Sequence, residues 1–289
     1  MKKLGKKIIA GFLIIFMGGF SPCLMQNKAM ATSVVNSNVK SGYKLSINRG
    51  PVSASDLTNK NYLIFNFADG NGISKIKVEK YNPKTKKFTN ITNNKNVIIS
   101  KDKKQLKIGA NELCEKGESV KIKIIAWDST KLTSKYKIPE WTQRFYTVKR
   151  LKEKDSKDRY FVINGGPRIT NVVESDFKNP TTTPSEAFKQ AKISIRLRDE
   201  NRVQSLRVCD MNNLDEKGNG KVVARYNFTG KNKTELVDFS SFSKLKQVEG
   251  KYRIQLVAID GTQKGHNEVI QISANYYKNA SNVDKKLTK

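Results

Sequence analysis

One strand occurs twice in this chain. Residues 120–128 (VKIKIIAWD) return at 252–260 (YRIQLVAID) with the same order of apolar, basic, Ile, polar, apolar, apolar, Ala, large apolar and Asp. Val120, Ile122 and Ile124 alternate with Lys121 and Lys123, the period of two that marks a half-buried strand. The apolar run through Ala126 and Trp127 predicts cover on both faces there. Asp128 and Asp260 end the two strands with turn chemistry, because Asp hydrogen-bonds the backbone two residues on. The duplication extends upstream: residues 65–78 align without a gap on 195–208, and INRGP at 47–51 matches INGGP at 163–167. The shifts are 132, 130 and 116, and the 14-residue difference falls in 177–190. That stretch holds Asn-Pro, three Thr and a second Pro, which predicts an inserted loop.

Short strands separated by turn clusters run through both copies. They are expected near 43–47, 62–68, 76–80, 96–100, 106–108, 119–127 and 143–149, and again near 160–163, 192–198, 205–209, 222–228, 233–238, 252–259 and 268–276. No amphipathic helix pattern interrupts them, so the expected class is all-β, two tandem antiparallel β-sandwiches. Gly117 and Gly250 fall at corresponding turns. The expected divisions are a first domain over 42–149, a charged linker over 150–159 (KRLKEKDSKDR read from 149), a second domain over 160–277 and a basic tail over 278–289.

Residues 1–31 read as a signal peptide. Lys2, Lys3, Lys6 and Lys7 precede an apolar run from Ile8 to Phe20, and Ala29-Met-Ala31 supplies a cleavage site. Those 13 apolar residues are short of the ~20 that a membrane span needs. Residues 32–41 read as a flexible leader. The expected location is therefore outside the cell, on the bacterial envelope, with no transmembrane span in the mature chain. The full chain carries 55 basic and 26 acidic residues for a formal charge of +29, and removing a leader with five Lys and no acid leaves +24. Cys114 and Cys209 occupy non-equivalent places in the two copies, which favours two thiols over a staple.

The turn into a strand at Asp69-Gly-Asn71-Gly-Ile73, followed by the strand ending at Asp128, resembles the bacterial immunoglobulin-like modules of secreted and surface proteins. The resemblance covers both copies and implies two Ig-like sandwiches serving as spacers, adhesion modules or binding domains. The second copy departs from it, with Glu200 and Arg202 in place of the two glycines, and Arg202 would tolerate a positive φ poorly.

Catalytic chemistry is not written in the chain. His266 is the only histidine and is expected in an exposed loop, and no nucleophile motif accompanies it. The carboxylate pairs Glu115/Glu118, Asp155/Asp158, Asp199/Glu200 and Asp215/Glu216 all fall in Lys- and Gly-rich turns, without the apolar wall that separates the pKa values of a catalytic pair. No enzyme and no cofactor is expected. Asp69, Asn71, Asp128, Asp199 and Asp260 could offer calcium oxygen ligands, but turn closure accounts for them better in so basic a chain.

The charge is the functional clue. Lys75, Lys77, Lys121 and Lys123 alternate on strands, and Lys101, Lys103 and Lys104 crowd a turn between them. Edge protection explains a few lysines, not so large a surplus. The expectation is a non-catalytic adhesion or scaffold protein held by these seven lysines on an anionic envelope polymer such as teichoic acid. The competing expectation is an accessory module or inhibitor binding another surface or secreted protein. Aromatic residues do not interleave with the basic ones along the chain, so no sequence-specific nucleic-acid binding is expected.

Overall fold

A computed structural model describes residues 41–130, 139–154, 159–174, 182–262 and 264–277. The expected signal peptide, the leader up to residue 40, the Asp155/Asp158 pair and the basic tail lie outside these residues.

The chain is all-β and its sheets are antiparallel. In order the strands are β1 (Gly42–Asn48), β2 (Val52–Thr58), β3 (Tyr62–Ala68), β4 (Ile73–Asn82), β5 (Lys87–Asn90), β6 (Val97–Ile99), β7 (Gln105–Gly109), β8 (Ser119–Asp128) and β9 (Trp141–Arg150). They continue with β10 (Phe161–Gly165), β11 (Arg168–Glu174), β12 (Ile193–Arg198), β13 (Val203–Leu214), β14 (Gly220–Asn227), β15 (Thr234–Phe239), β16 (Lys251–Asp260) and β17 (Gly265–Tyr277). The sheet β2-β3-β7-β6 faces β5-β4-β8-β9 across one core, and β11-β12-β15 faces β14-β13-β16-β17 across the other. The duplicated strands β8 and β16 line these cores through Ile122, Ile124 and Ala126 in one and Ile254, Leu256 and Ala258 in the other.

β2, β5 and β11 escape the sequence pattern. β2 (VSASDLT) and β11 (RITNVVE) lack strict alternation, yet each occupies the same edge position in its half. The expected inserted loop ends in a helix, α2 (Pro184–Gln190), which corrects both the loop and the expectation of no helix. Its signal was present: Thr183 and Glu186 form a capping box around a proline at the first helical turn. Ala187 and Phe188 then bury in the second core, where Phe188 meets Tyr252 edge-on, their ring centroids 4.6 Å apart and their planes at 88°. A second short helix, α1 (Ala110–Leu113), closes the first core with Leu113.

The packing crosses the divisions expected from sequence. β1 pairs along its whole length with β17, from Gly42 opposite Tyr277 to Asn48 opposite Gln271, and Leu45 is buried in the second core. β10, its counterpart in the repeat, pairs with β9, and Phe161 is buried in the first core. Each half is thus completed by the strand that opens the other copy. The two large sheets also join directly, because β9 and β17 pair from Trp141 opposite Val269 to Arg144 opposite His266. Gln143 faces Asn267 at the centre of this ladder, on an approximate two-fold axis that relates the copies.

The crossings need glycine. A Cβ on Gly50 would lie 2.6 Å from the Trp141 carbonyl carbon, and one on Gly166 would lie 2.7 Å from the Gly265 carbonyl. Both neighbours are backbone at the start of β9 and of β17, so neither can yield. Gly117 and Gly250 hold φ of +89° and +71°, as their matching turns require. Gly72 also turns at φ +83°, whereas Arg202, its counterpart, keeps φ out of that region. The departure at 200–202 keeps the same side-chain closure: the amides of Asn201 and Arg202 donate to Asp199 Oδ1, as that of Asn71 does to Asp69 Oδ1.

Candidate anion-binding face and the junction behind it

Alternation on β4, β8 and β9 sends one set of side chains into the first core and the other to the outer face of the shared sheet. On that face Lys75 stands opposite Trp127, Glu79 opposite Lys123, Lys123 opposite Phe145, and Trp127 opposite Trp141. Lys75 Nζ sits 5.5 Å from the centre of the Trp127 ring and Lys121 Nζ 5.7 Å from Tyr81. Lys123 Nζ lies 5.0 Å from Phe88 and 5.9 Å from Phe145. Such ring contacts contribute about 0.5–1 kcal/mol each at exposed sites and hold the ammonium heads in place. The expectation that aromatics do not interleave with the lysines is therefore corrected. They interleave across strands, a relation invisible along the chain.

Glu79 is the acid within this group. Lys77 Nζ lies 2.5 Å from its Oε1, and Lys123 pairs with Oε2. Burial alone would push the Glu79 carboxyl up, but hydrogen bonds from Lys123 and Lys77 outweigh it and hold the group below its ordinary value. Lys75 and Lys121 are exposed and have no acidic partner among the described residues. The structure does not bring the other three lysines here. Lys101, Lys103 and Lys104 lie in the turn between β6 and β7, on the opposite sheet, where Asp102 accepts from the Lys104 amide at 3.1 Å and Lys103 takes φ +57°.

The candidate calcium oxygens are engaged in turns. Asp69 Oδ1 accepts from the Asn71 amide at 2.7 Å, and Asp128 Oδ2 accepts from the Thr130 hydroxyl at 2.5 Å. Asp260 takes the amides of Thr262 and Lys264, both at 2.8 Å. Among the described residues no group of three His, Cys, Asp or Glu side chains is placed to hold a metal ion. The Asn residues of these turns have another role. Asn71 Nδ2 donates to Asn48 Oδ1 at 2.8 Å, and Asn201 Nδ2 donates to Asn164 Oδ1 at 3.3 Å. Each bond ties a turn of one half to the strand that has crossed from it.

His266 is not in an exposed loop. It is buried on β17 at the join, with Nδ1 2.9 Å from the Pro167 carbonyl and 3.3 Å from the Ile169 amide. Burial, with Arg144 adding repulsion, lowers its pKa to about 3 and keeps it neutral. Arg144, opposite it in the ladder, donates twice to the Gly166 carbonyl, at 3.0 and 2.8 Å. At the other crossing Arg49 bonds Glu268 through Nε at 2.6 Å and Nη2 at 2.9 Å. A second buried ion pair joins Arg253 to Glu140 at 3.0 Å. None of these five charged residues is marked in the sequence: no local pattern pairs positions 113 and 219 residues apart, and Arg144 meets the Gly166 carbonyl only once the strands have crossed.

Buried acids make the junction pH-sensitive. Burial raises the Asp69 carboxyl to about 6 against the hydrogen bond from Asn71, and repulsion from Asp128 and Glu140 adds to the rise. A raised carboxyl costs stability above pH ~6, and the cost vanishes as pH falls through the folded value toward ~4. His266 acts the other way: with its folded value depressed, stability is lost as pH falls below ~6.5 and the unfolded chain takes up the proton. Asp69→Asn isolates the first effect. It should stabilise the protein by about 1 kcal/mol at pH 7.5, after allowance for partial solvent screening, and by nothing at pH 4. Urea midpoints of both proteins across that range measure it, and equal gains at both pH values would refute it.

Cys114 is half-buried, Cys209 is buried, and both are free thiols. Burial raises the pKa of each. No helix among the described residues is long and apolar enough to cross a membrane. No protein-family model matches the chain, and comparison with curated proteins gives no match.

Proposed function

We propose that this is an exported, non-catalytic surface protein built from two immunoglobulin-like modules and held on the anionic cell envelope by the outer face of β4, β8 and β9. One observation carries the reading. Lys75, Lys77, Lys121 and Lys123 gather on a single face, their heads placed by Trp127, Tyr81, Phe88 and Phe145, with one carboxylate, Glu79, among them. Ordered ammonium groups lose less freedom on meeting an anion than free surface lysines do. The strand orders β2-β3-β7-β6 and β5-β4-β8-β9 support the Ig-like assignment of the first half, and β11-β12-β15 with β14-β13-β16-β17 repeats it with one strand fewer.

A salt titration of the envelope pellet from the native host tests the reading. The protein is expected to elute between roughly 0.1 and 0.5 M salt, where the screening length falls from about 10 Å to about 4 Å. Lys75→Glu with Lys121→Glu should release it at low salt. Free protein in the medium at low salt would reject envelope retention, and a salt-resistant 1:1 partner would favour a protein-binding module instead.

A further inference from the structure

The join between the halves lines up one row of outer-face residues across the whole shared sheet. Lys77 on β4 stands opposite Ile125 on β8, and Ile125 opposite Gln143 on β9. Gln143 stands opposite Asn267 on β17, Asn267 opposite Val257 on β16, and Val257 opposite Arg207 on β13. Arg225 on β14 then stands opposite Arg207. The row is symmetric about the Gln143–Asn267 pair: Arg207 is the repeat counterpart of Lys77, and Val257 that of Ile125. Cations therefore stand at both ends, with the half-buried Ile125, Gln143 and Asn267 and the buried Val257 between them. Arg207 and Lys77 are separated by five strand spacings, roughly 24 Å.

At the arginine end two cations face each other, Arg207 directly opposite Arg225. Like charges directly opposite one another destabilise a sheet. No acid among the described residues forms a salt bridge with Arg207 or Arg225, and Arg207 Nε is covered without a hydrogen-bond acceptor. Burial raises the Cys209 thiol, two residues along β13, and both guanidiniums oppose that rise. A guanidinium pair of this kind offers planar forks that match phosphate oxygens.

We propose that one linear phosphate polymer lies across the strands and bridges the two ends, with Arg207 and Arg225 taking phosphates at one end and Lys77, Lys75 and Lys123 at the other. This rests on the anion-binding reading above and extends its site to the second half. A phosphate polymer fits better than an acidic polysaccharide, because lysine heads cover the rings of Trp127, Tyr81, Phe88 and Phe145 that sugars would stack upon. Simultaneous contact with both ends makes affinity depend on length: once one end is bound, the second meets its phosphates at high effective concentration.

Binding of triphosphate, long-chain polyphosphate and a polyuronate to the whole mature chain tests this at fixed low salt. Long-chain polyphosphate should bind at least tenfold tighter than triphosphate at equal phosphate concentration. Arg207→Ala with Arg225→Ala should remove most of that advantage while triphosphate binding at the lysine end is unchanged, and an unaltered thermal midpoint shows that the variant is folded. A length advantage that survives the arginine variant overturns the bridge but leaves the lysine site standing. Tighter binding of polyuronate than of polyphosphate overturns the phosphate assignment. If none of the three binds, the anion-binding reading itself fails.

Discussion

A chain begun at Pro51 should keep its first half folded and lose the second. The truncation removes β1, and with it Leu45, which is 5% exposed, and the half-buried Tyr43 and Ile47 packed on the second core. Burying one large apolar side chain contributes about 1.5–3 kcal/mol, so the strand supplies about 4–6 kcal/mol before its ladder with β17 is counted. That is comparable with the whole stability of an ordinary domain. Amide exchange is expected to lose protection along 271–277 and across β16, while β3, β7 and β8 stay protected. A synthetic peptide covering residues 42–50 should restore it. Unchanged protection in the truncated chain would show that β1 is dispensable.

Arg49→Met should cost about 3–5 kcal/mol, because it strands the Glu268 carboxylate in a site where the side chain is 1% exposed. Arg49 also donates to the Ile169 carbonyl at 2.9 Å, so the substitution loosens β11 as well as β17. The stranded carboxylate is then a buried charge without its cation, which is where the loss arises. Glu268→Leu in the same chain should restore at least 2 kcal/mol, since an apolar pair of similar volume replaces a buried ion pair at little cost. Urea midpoints of the four proteins in a double-mutant cycle decide it. Additive losses would mean that the two residues do not act as a pair.

The duplicated strands announced themselves because a half-buried strand must alternate, and alternation is a local property of the chain. Residues 62–68 and 119–127 were legible for that reason, as was the strong turn chemistry at Asp69, Asp128, Gly117 and Gly250. The edge strands β2 and β11 were not, because Ser, Asp and Asn dilute their pattern and pairing alone keeps them extended. The helix α2 was legible in its Thr183–Glu186 box, but the surrounding prolines read as loop. Of the candidate site, the alternating lysines were legible and their aromatic supports were not: Lys123, Phe88 and Phe145 come from three different strands.

The all-β class, the two copies, the faces of the strongest strands and the large positive charge follow from residue type and short-range spacing. Which copy each opening strand completes, how β9 and β17 fuse two sheets into one, and which charges pair across the join are set by long-range packing. INRGP and INGGP are the same local instruction, an extended strand that turns at Gly-Pro, and they contain nothing about the partner strand. That choice depends on the close approach of Gly50 to Trp141 and of Gly166 to Gly265, and on buried pairs such as Arg49 with Glu268. Those are contacts between residues far apart in the chain, and they exist only once both cores have formed.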